Sequence, residues 1–290
     1  MGTLQRYIII ISSGLLIGSL ILLVYYKKRE KRRRIKRIEV SDWRIQYYLG
    51  QTPANMWPDL VVRDLNNYPD HPLEFHNVHS LTNNDSYGPS LKALLTKTGH
   101  QDKKFLFTSG DVEHHLHPIS LTKVRGPDTY DGVILRCLHF DRHWSLVMNH
   151  RKWEKQDHPF SKKIPRVFWR GTTTGREGRP GNRFDLVNRW FKKSDKLDIG
   201  FSDIVQDKDI YQKYVKGIVD FKEMLKYKYI ISAPGNDKDS GLNWKLLSNS
   251  VVMMARPRVT SWLMESTLAP GIHYILIKDD YSDLLKQFEW

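Results

Sequence analysis

The sequence predicts an α/β fold with a parallel sheet in its C-terminal half and a single transmembrane helix at its N-terminus. Three observations carry this prediction: an uncharged stretch of 20 residues near the start, strand-like and helix-like segments that alternate after residue 164, and polar, glycine-containing loops between them. Such alternation is typical of a parallel sheet with crossover helices. The 290-residue chain, which is 40% hydrophobic, is long enough for two modest domains.

The first element is the uncharged stretch Tyr7–Tyr26. As a helix with about 1.5 Å per residue it would cross roughly 30 Å, one bilayer core. A signal peptide would have a shorter apolar region and a small-residue cleavage site, so we expect an uncleaved anchor. Nine basic residues lie within 27–37 and only Arg6 precedes the stretch. The positive-inside rule then places the C-terminal body in the cytosol, with the basic run on anionic lipid.

The net charge of +14 does not indicate a nucleic-acid partner, because most of it lies beside this anchor. Without residues 27–37 (+8) and Arg6 (+1), the remainder carries +5. A protein that binds duplex nucleic acid normally clusters more charge in its folded part. Cys137 is the only cysteine, so no intrachain disulfide can form, which agrees with a reducing compartment.

The elements of the body become clear after residue 89. Residues 90–98 predict a helix, and residues 104–111 (KFLFTSGD) predict an apolar strand that ends in polar residues. Residues 132–140 and 142–148 continue a strand-rich region, and residues 150–163 are polar, as in a linker. The alternating segments that follow are RVFWRG, FDLVNRWFKK, KLDIGFS, DFKEMLKYK, YIISA, GLNWKLLSN, VVMMA and HYILIK.

Two loops in this alternating part predict a phosphorylated ligand. Each leaves an apolar strand and precedes a helix, where unpaired backbone N–H groups can bind phosphate. Small residues let the backbone approach the phosphate, and arginine can bind its oxygens in a bidentate manner. The candidate residues are Arg170, Gly171, Thr172 and Arg183 in the first loop, and Gly235, Asn236, Asp237, Lys238, Asp239, Ser240 and Gly241 in the second. Arg170 lies within a strand and could instead form a structural ion pair, and Arg183 could be a solvated arginine at a helix start.

The motifs of residues 100–290 resemble the Rumi/LpsA type of glycosyltransferase, family 90, and its bacterial LpsA branch in particular. The resemblance rests on FWRGTTTG at 168–175, KYKYIISAPGND at 226–237, LNWKLLSNSVV at 242–252 and HYILIKDDYSDL at 273–284. It implies a GT-B-like fold with two Rossmann-type domains. We expect an anchor and basic run at 1–40, an acceptor-side domain at 41–155 and a nucleotide-sugar domain at 156–290.

The resemblance also implies an inverting transfer of glucose or xylose from a UDP-sugar to a hydroxyl of a glycan, glycolipid or glycoprotein, without a metal ion or other cofactor. Animal members carry an arginine in the loop where this chain has Gly241, and Lys238 or Lys245 could supply that charge. Inverting transfer needs one general base and groups that stabilise the leaving diphosphate.

Asp111 is the candidate general base, because it follows an apolar run at a strand end and matches the family's catalytic aspartate. A turn-capping aspartate is the alternative. Lys123 and Arg125 match a family position near the cleft and could contact substrate or lie on a solvated face. His143 and Trp144 could line the acceptor site, since tryptophan stacks on sugars. Packing of Trp144 in the core is an equally good alternative.

Two other functions stay open on the sequence. The cluster at residues 111–117 (DVEHHLH) could bind a metal and serve a metal-dependent hydrolase. On a strand His115 and His117 would share a face while His114 would point away, so we expect no metal site. The chain could also be a degenerate, non-catalytic nucleotide- or glycan-binding module tethered to a membrane.

Overall fold

A computed structural model describes residues 47–48, 75–82, 87–111, 120–126, 132–135, 144–206 and 208–289. These residues all belong to one unit of the chain, Gln46–Trp290. The proposed anchor Tyr7–Tyr26 and the basic run lie outside the described residues. No helix in the described ranges has both the length and the apolar composition needed to cross a bilayer. The domain boundary at residue 155 stays a prediction.

The strands and helices of the described part follow each other in this order. The strands are β1 (Phe75–His76), β2 (Phe105–Leu106), β3 (Leu121–Thr122), β4 (Val124–Arg125), β5 (Val133–Ile134), β6 (Ile164–Gly171), β7 (Leu197–Phe201), β8 (Tyr227–Ile231), β9 (Val251–Met254), β10 (Thr260–Ser261) and β11 (Ile275–Leu276). The α-helices are α1 (Gly88–Lys97), α2 (Ser145–Met148), α3 (His150–Trp153), α4 (Arg183–Trp190), α5 (Phe221–Met224), α6 (Leu242–Lys245) and α7 (Leu284–Glu289). Short 3-10 helices cover Glu154–Gln156, Phe160–Lys162, Asp209–Tyr214 and Glu265–Thr267.

The C-terminal half is built on a five-stranded sheet with the strand order β11-β9-β8-β6-β7. All four pairings in this sheet are parallel, which confirms the α/β interpretation of the alternating segments. The chain passes from β6 out to β7, returns to the other side of β6 at β8, and continues through β9 to β11. The strand order therefore reverses between β6 and β8. Ligands of open parallel sheets bind at the carboxyl ends of the strands beside such a switch point.

Apolar residues explain both the central strand and the helix that follows it. Val167, Phe168 and Trp169 of β6 are all buried, as expected for a central strand covered on both faces. Helix α4 begins after Asn182, whose side chain accepts a hydrogen bond from the backbone N–H of Asp185 at 2.8 Å. The buried face of α4 packs into the main core, whose other members include Trp169, Ile199, Phe201, Ile231 and Met253.

The described residues before 144 form shorter elements. β1 pairs with β2 in antiparallel fashion, and β3 pairs with β5 in parallel. A separate apolar cluster supports them, formed by Leu81, Leu91, Phe105, Leu121, Val133 and Leu135. β4 pairs with β10 in antiparallel fashion, with Val124 opposite Ser261. This pairing joins the segment around Lys123 to the C-terminal half of the chain.

Two expectations for the middle of the chain are wrong. Residues 145–148 form helix α2 instead of a strand. Residues 150–163 are no linker, because Trp153 is 4% exposed and the ammonium group of Lys163 is buried against the carboxylate of Asp157. Asp157 also accepts a hydrogen bond from the backbone N–H of Asn249 at 2.6 Å. A buried ion pair inside a polar stretch leaves no periodic pattern, so hydropathy alone could not reveal it.

Candidate active site

The loops that follow β6 and β8 lie side by side at the switch point of the sheet. The backbone N–H of Gly175 donates to the side-chain oxygen of Asn236 at 2.9 Å. The guanidinium of Arg179 donates to the backbone carbonyl of Asn236, also at 2.9 Å. The two segments whose composition predicts phosphate binding therefore share one crevice edge. We call them the β6 loop (172–182) and the β8 loop (232–241).

Glycine is required where the two loops touch. Gly175 has a φ of +103°, and a Cβ atom there would lie 2.8 Å from the carbonyl oxygen of Gly235. A Cβ atom at Gly235 would lie 2.9 Å from the hydroxyl oxygen of Thr174. Ordinary van der Waals contacts of a Cβ atom begin at 3.4 Å. Side chains at these positions would separate the loops, so this close approach depends on both glycines.

Arg183 connects the two loops through its side chain. Its guanidinium donates to the carbonyl of Thr172 at 3.0 Å and to the hydroxyl of Thr174 at 2.5 Å in the β6 loop. It also donates to the carbonyl of Ala233 in the β8 loop at 3.3 Å. Burial lowers the pKa of Arg183, and the charge of Asp239 opposes this effect. Arg183 is thus no solvated helix-start residue, and its place beside the crevice is compatible with the predicted phosphate role.

The charged residues of the β8 loop are held by internal ion pairs. The buried ammonium of Lys238 donates to the hydroxyl of Ser261 and to the carboxylate of Glu265, both at 2.6 Å. Asp239 accepts from the ammonium of Lys245 and, at 2.9 Å, from the backbone N–H of Gly241. Both ammonium groups are thus paired with carboxylates of the protein itself. Their ion pairs fix the shape of the loop, to which Asn243 contributes a 3.3 Å hydrogen bond to the carbonyl of Ser240.

Arg170 and Gly171 end the strand β6. The guanidinium of Arg170 forms an ion pair with Asp198 of β7 at 2.6 Å and also contacts the carbonyl of Asp198 at 3.0 Å. This is the structural ion pair that the sequence left open as the alternative for Arg170. A Cβ atom at Gly171 would lie 2.8 Å from the ring of Trp169, so no larger residue fits there without a shift.

An ion-pair network joins the candidate base to the β8 loop. The ammonium of Lys123 lies 2.6 Å from a carboxylate oxygen of Asp111 and 2.6 Å from a carboxylate oxygen of Asp237. The hydroxyl of Tyr87 donates to Asp111 at 2.6 Å and accepts from Lys123 at 2.8 Å. Asn236 also hydrogen-bonds to Asp111 through its side chain. Residues far apart in the sequence thus meet at one point, and we call Asp111, Lys123, Tyr87 and Asp237 the Asp111 network.

The pKa values in the Asp111 network follow from burial and charge. Burial acts to raise the pKa of Asp111, but the charge and hydrogen bond of Lys123, with those of Tyr87 and Asn236, outweigh it and lower the pKa. Burial raises the pKa of Asp237, against the opposing charge of Lys123. Burial also raises the pKa of Tyr87 to about 12. Asp111 is therefore an ionised carboxylate at neutral pH, as a general base must be.

The other residues considered for the acceptor side have different surroundings. Arg125 is 1% exposed and donates to the backbone carbonyls of Gly132, at 3.1 Å, and Tyr47. Trp144 packs edge-to-face against Trp262, with ring centroids 4.8 Å apart. The burial of Arg125 contradicts the solvated-face alternative, and the ring contact of Trp144 matches its core-packing alternative. The substrate contacts of both residues stay predictions. His143 lies outside the described residues.

A crevice at the carboxyl ends of β8 and β9 adds two residues that the sequence analysis missed. It is lined by Pro180, Gly181, Ser232, Pro234, Asp237, Lys238, Asp239, Leu242, Met254, Ala255, Arg256, Pro257, Arg258, Val259 and Glu265. Arg256 and Arg258 are exposed at its edge, and Arg258 pairs with Asp279. Within the described ranges Arg256 makes no hydrogen bond or ion pair. The sequence signal that could have identified these two arginines is their position directly after the apolar run VVMMA.

The metal-site alternative at residues 111–117 lies, except for Asp111, outside the residues that the structure describes. No group of three or more potential ligands from His, Cys, Asp and Glu is found among the residues that the structure describes. Residues 112–117 lie outside those ranges. Asp111 itself is engaged by Lys123 and Tyr87.

Comparison with known proteins identifies the family. The sequence profile of Glycosyl transferase family 90 matches residues 141–290, about half of the chain, and the chain belongs to this family. O-glucosyltransferase LpsA of Dichelobacter nodosus is 31% identical over 204 residues, which are 70% of this chain and 58% of that protein. Protein O-glucosyltransferase 2 of Danio rerio is 31% identical over 134 residues, 45% of this chain and 25% of that protein. The chain therefore spans 58% or less of the length of these curated relatives.

Proposed function

We propose that this protein is an inverting glycosyltransferase that moves glucose from UDP-glucose to a hydroxyl of a glycan or glycoconjugate. The observation that carries the proposal is the Asp111 network, because Lys123 joins the candidate base to the β8 loop through two 2.6 Å contacts. Membership in family 90 supports glycosyl transfer. Both relatives are named as O-glucosyltransferases, which favours glucose over xylose as the transferred sugar.

The proposed reaction is a single displacement at the anomeric carbon of the sugar. The oxygen of the acceptor hydroxyl forms the new bond to this carbon, and its proton passes to the carboxylate of Asp111. The bond from the anomeric carbon to the phosphate oxygen breaks, and its electron pair leaves with the diphosphate. Arg183, the backbone N–H groups of the β6 and β8 loops, and Arg256 at the crevice edge would stabilise this negative charge.

The variant Asp111→Asn tests the proposed base. It keeps the size of the side chain but cannot accept the proton, so we expect turnover to fall by at least ~10²-fold while UDP affinity is kept. Asp280→Asn, an exposed aspartate outside the Asp111 network, is the matched control. The measurement is UDP release from UDP-glucose with and without candidate acceptors. Near-normal turnover in Asp111→Asn would remove Asp111 from the mechanism.

The variant Arg256→Ala tests the donor side of the crevice. If the guanidinium contacts the bound diphosphate, its loss should weaken UDP binding about tenfold or more, the effect of one charge-assisted hydrogen bond. Arg189→Ala is the control, because Arg189 is exposed and pairs with Asp280. Calorimetry with UDP measures both affinities. Equal affinity in the two variants would exclude a role of Arg256 in donor binding.

We also propose that the reaction needs no metal ion and that the protein is a single-pass membrane protein whose body faces the cytosol. EDTA should leave UDP release unchanged. Loss of UDP release in the presence of EDTA would favour the metal-dependent alternative at residues 111–117. Resistance to alkaline extraction from membranes would support residues 7–26 as the anchor. Protease digestion of the body in sealed vesicles distinguishes the cytosolic from the lumenal orientation.

A further inference from the structure

We propose that Tyr87, together with Lys123, is a positioning residue that fixes the carboxylate of Asp111 relative to the β8 loop. This inference rests on the proposed function, in which Asp111 takes the proton of the acceptor.

The geometry is a closed triangle of short hydrogen bonds. The Tyr87 hydroxyl and the Lys123 ammonium both donate to the same oxygen of Asp111, Oδ1, at 2.6 Å. Lys123 also donates to the Tyr87 hydroxyl at 2.8 Å, which closes the triangle. Two donors on one oxygen fix the position of Oδ1, because a side-chain rotation that displaces this oxygen must lengthen at least one of the two bonds. The second contact of Lys123, to Asp237, ties the triangle to the β8 loop.

The backbone of Tyr87 is a second, independent observation. Tyr87 precedes helix α1 and has φ 67° and ψ 0°, a left-handed conformation that favours glycine or asparagine. A bulky residue stays in such a conformation only where its surroundings hold it, and such positions cluster at functional sites. The ring of Tyr87 packs against the apolar cluster that contains Leu91 and Phe105, while its hydroxyl points to Asp111. The left-handed turn is thus what lets one side chain reach both the core and the base.

The charges around Asp111 predict how it responds when Tyr87 is changed. Within the described ranges the groups that face Asp111 are Lys123, Tyr87 and the side chain of Asn236, with Asp237 beyond Lys123. Hydrogen bonds to the ionised form favour that form. Removal of the Tyr87 hydroxyl should therefore raise the pKa of Asp111, so that the acid limb of the rate profile moves to higher pH.

The test uses the full chain with Tyr87→Phe, which removes the hydroxyl and keeps the ring. UDP release from UDP-glucose is measured against pH with water as the acceptor. We expect about a tenfold fall in kcat with unchanged KM, below the ~10²-fold effect of losing the base itself, and an acid limb shifted upward. The control is Tyr227→Phe, which removes a tyrosine hydroxyl from Asp198, an aspartate outside the Asp111 network. The control should leave kcat and the acid limb unchanged.

A wild-type protein that releases no UDP would overturn the proposed function and not the positioning role of Tyr87. A second measurement, which needs no turnover, tests that role in either case. Aspartates labelled with 13C at the carboxyl carbon are titrated by NMR, with the Asp111 signal assigned by its loss in Asp111→Asn. An Asp111 pKa that rises in Tyr87→Phe and not in Tyr227→Phe supports the inference. An unmoved Asp111 pKa, or a fall in kcat without a shift of the acid limb, overturns it and leaves Tyr87 a packing residue.

Discussion

The replacement Gly175→Ala tests whether contact between the β6 and β8 loops builds the candidate site. The new methyl group would lie 2.8 Å from the carbonyl oxygen of Gly235, where at least 3.4 Å is ordinary. One loop must therefore move by about 0.6 Å in a closely packed region. The φ of +103° adds backbone strain, which costs about 1–3 kcal/mol. The displacement also weakens the hydrogen bond from Gly175 to Asn236, worth about 1 kcal/mol. We expect the free energy of unfolding to fall by about 2–4 kcal/mol.

The chain offers a matched control in the same loop. Gly178 also has a positive φ, +73°, but an added Cβ atom would meet nothing within 4 Å. Gly178→Ala should therefore show only the backbone term, about 1–2 kcal/mol. Urea denaturation measures both variants, and calorimetry with UDP measures donor affinity. We expect Gly175→Ala to weaken UDP binding about tenfold, or 1.4 kcal/mol, and Gly178→Ala to leave it near that of the wild type.

Two results would contradict this reasoning. Equal destabilisation in the two variants would mean that the contact with Gly235 contributes nothing beyond the backbone strain. A destabilised Gly175→Ala that binds UDP as tightly as the wild type would separate the loop contact from donor binding.

Two further predictions concern ion pairs. Lys238→Met leaves Glu265 buried without its cation and should lower the free energy of unfolding, measured by urea denaturation, by about 3–5 kcal/mol. Adding Glu265→Gln to this variant should recover part of that loss, because it removes the unpaired buried charge. No recovery in the double variant would show that lost packing dominates. For Asp198, burial acts to raise the pKa, but hydrogen bonds from Lys216 and Arg170 outweigh it and hold the pKa at about 2. A carboxyl with a lowered folded-state pKa stabilises the fold above its ordinary pKa of about 3.9, and this contribution is lost as pH falls toward about 2. Asp198→Asn should therefore flatten the dependence of stability on pH across that window, and an unchanged slope would argue against the ion pair.

The parallel sheet was predictable because its signal is local. Each strand from β6 to β9 contains a short apolar run, and each crossover contains a helical or polar segment, so composition alone marks the order of elements. The strand order was not predictable in this way, because the return of β8 to the far side of β6 depends on contacts between distant residues. Residues 150–163 show the converse, because the buried pair of Asp157 and Lys163 consists of two residues that look solvated in any sequence window.

The candidate site shows the same division. Asp111, Lys123 and Asp237 were each predicted as site residues from their motifs, but no motif shows that one ammonium group contacts both carboxylates. Tyr87 gave no signal at all, because its left-handed backbone conformation cannot be inferred for a tyrosine from sequence. Arg183 was predicted as a ligand residue, and its hydrogen bonds to both loops became visible only with the structure.

The short ladder between β4 and β10 has a consequence for substrate loss. Val124, next to Lys123, is paired with Ser261, whose hydroxyl meets Lys238 of the β8 loop. In the proposed reaction, this ladder connects the proton acceptor to the leaving-group loop through contacts within the protein, without a contribution from the sugar. The same groups could then activate a water molecule in place of the acceptor hydroxyl. Some wasteful breakdown of the activated sugar would therefore be built into this architecture, at a rate set by how well the acceptor keeps solvent out.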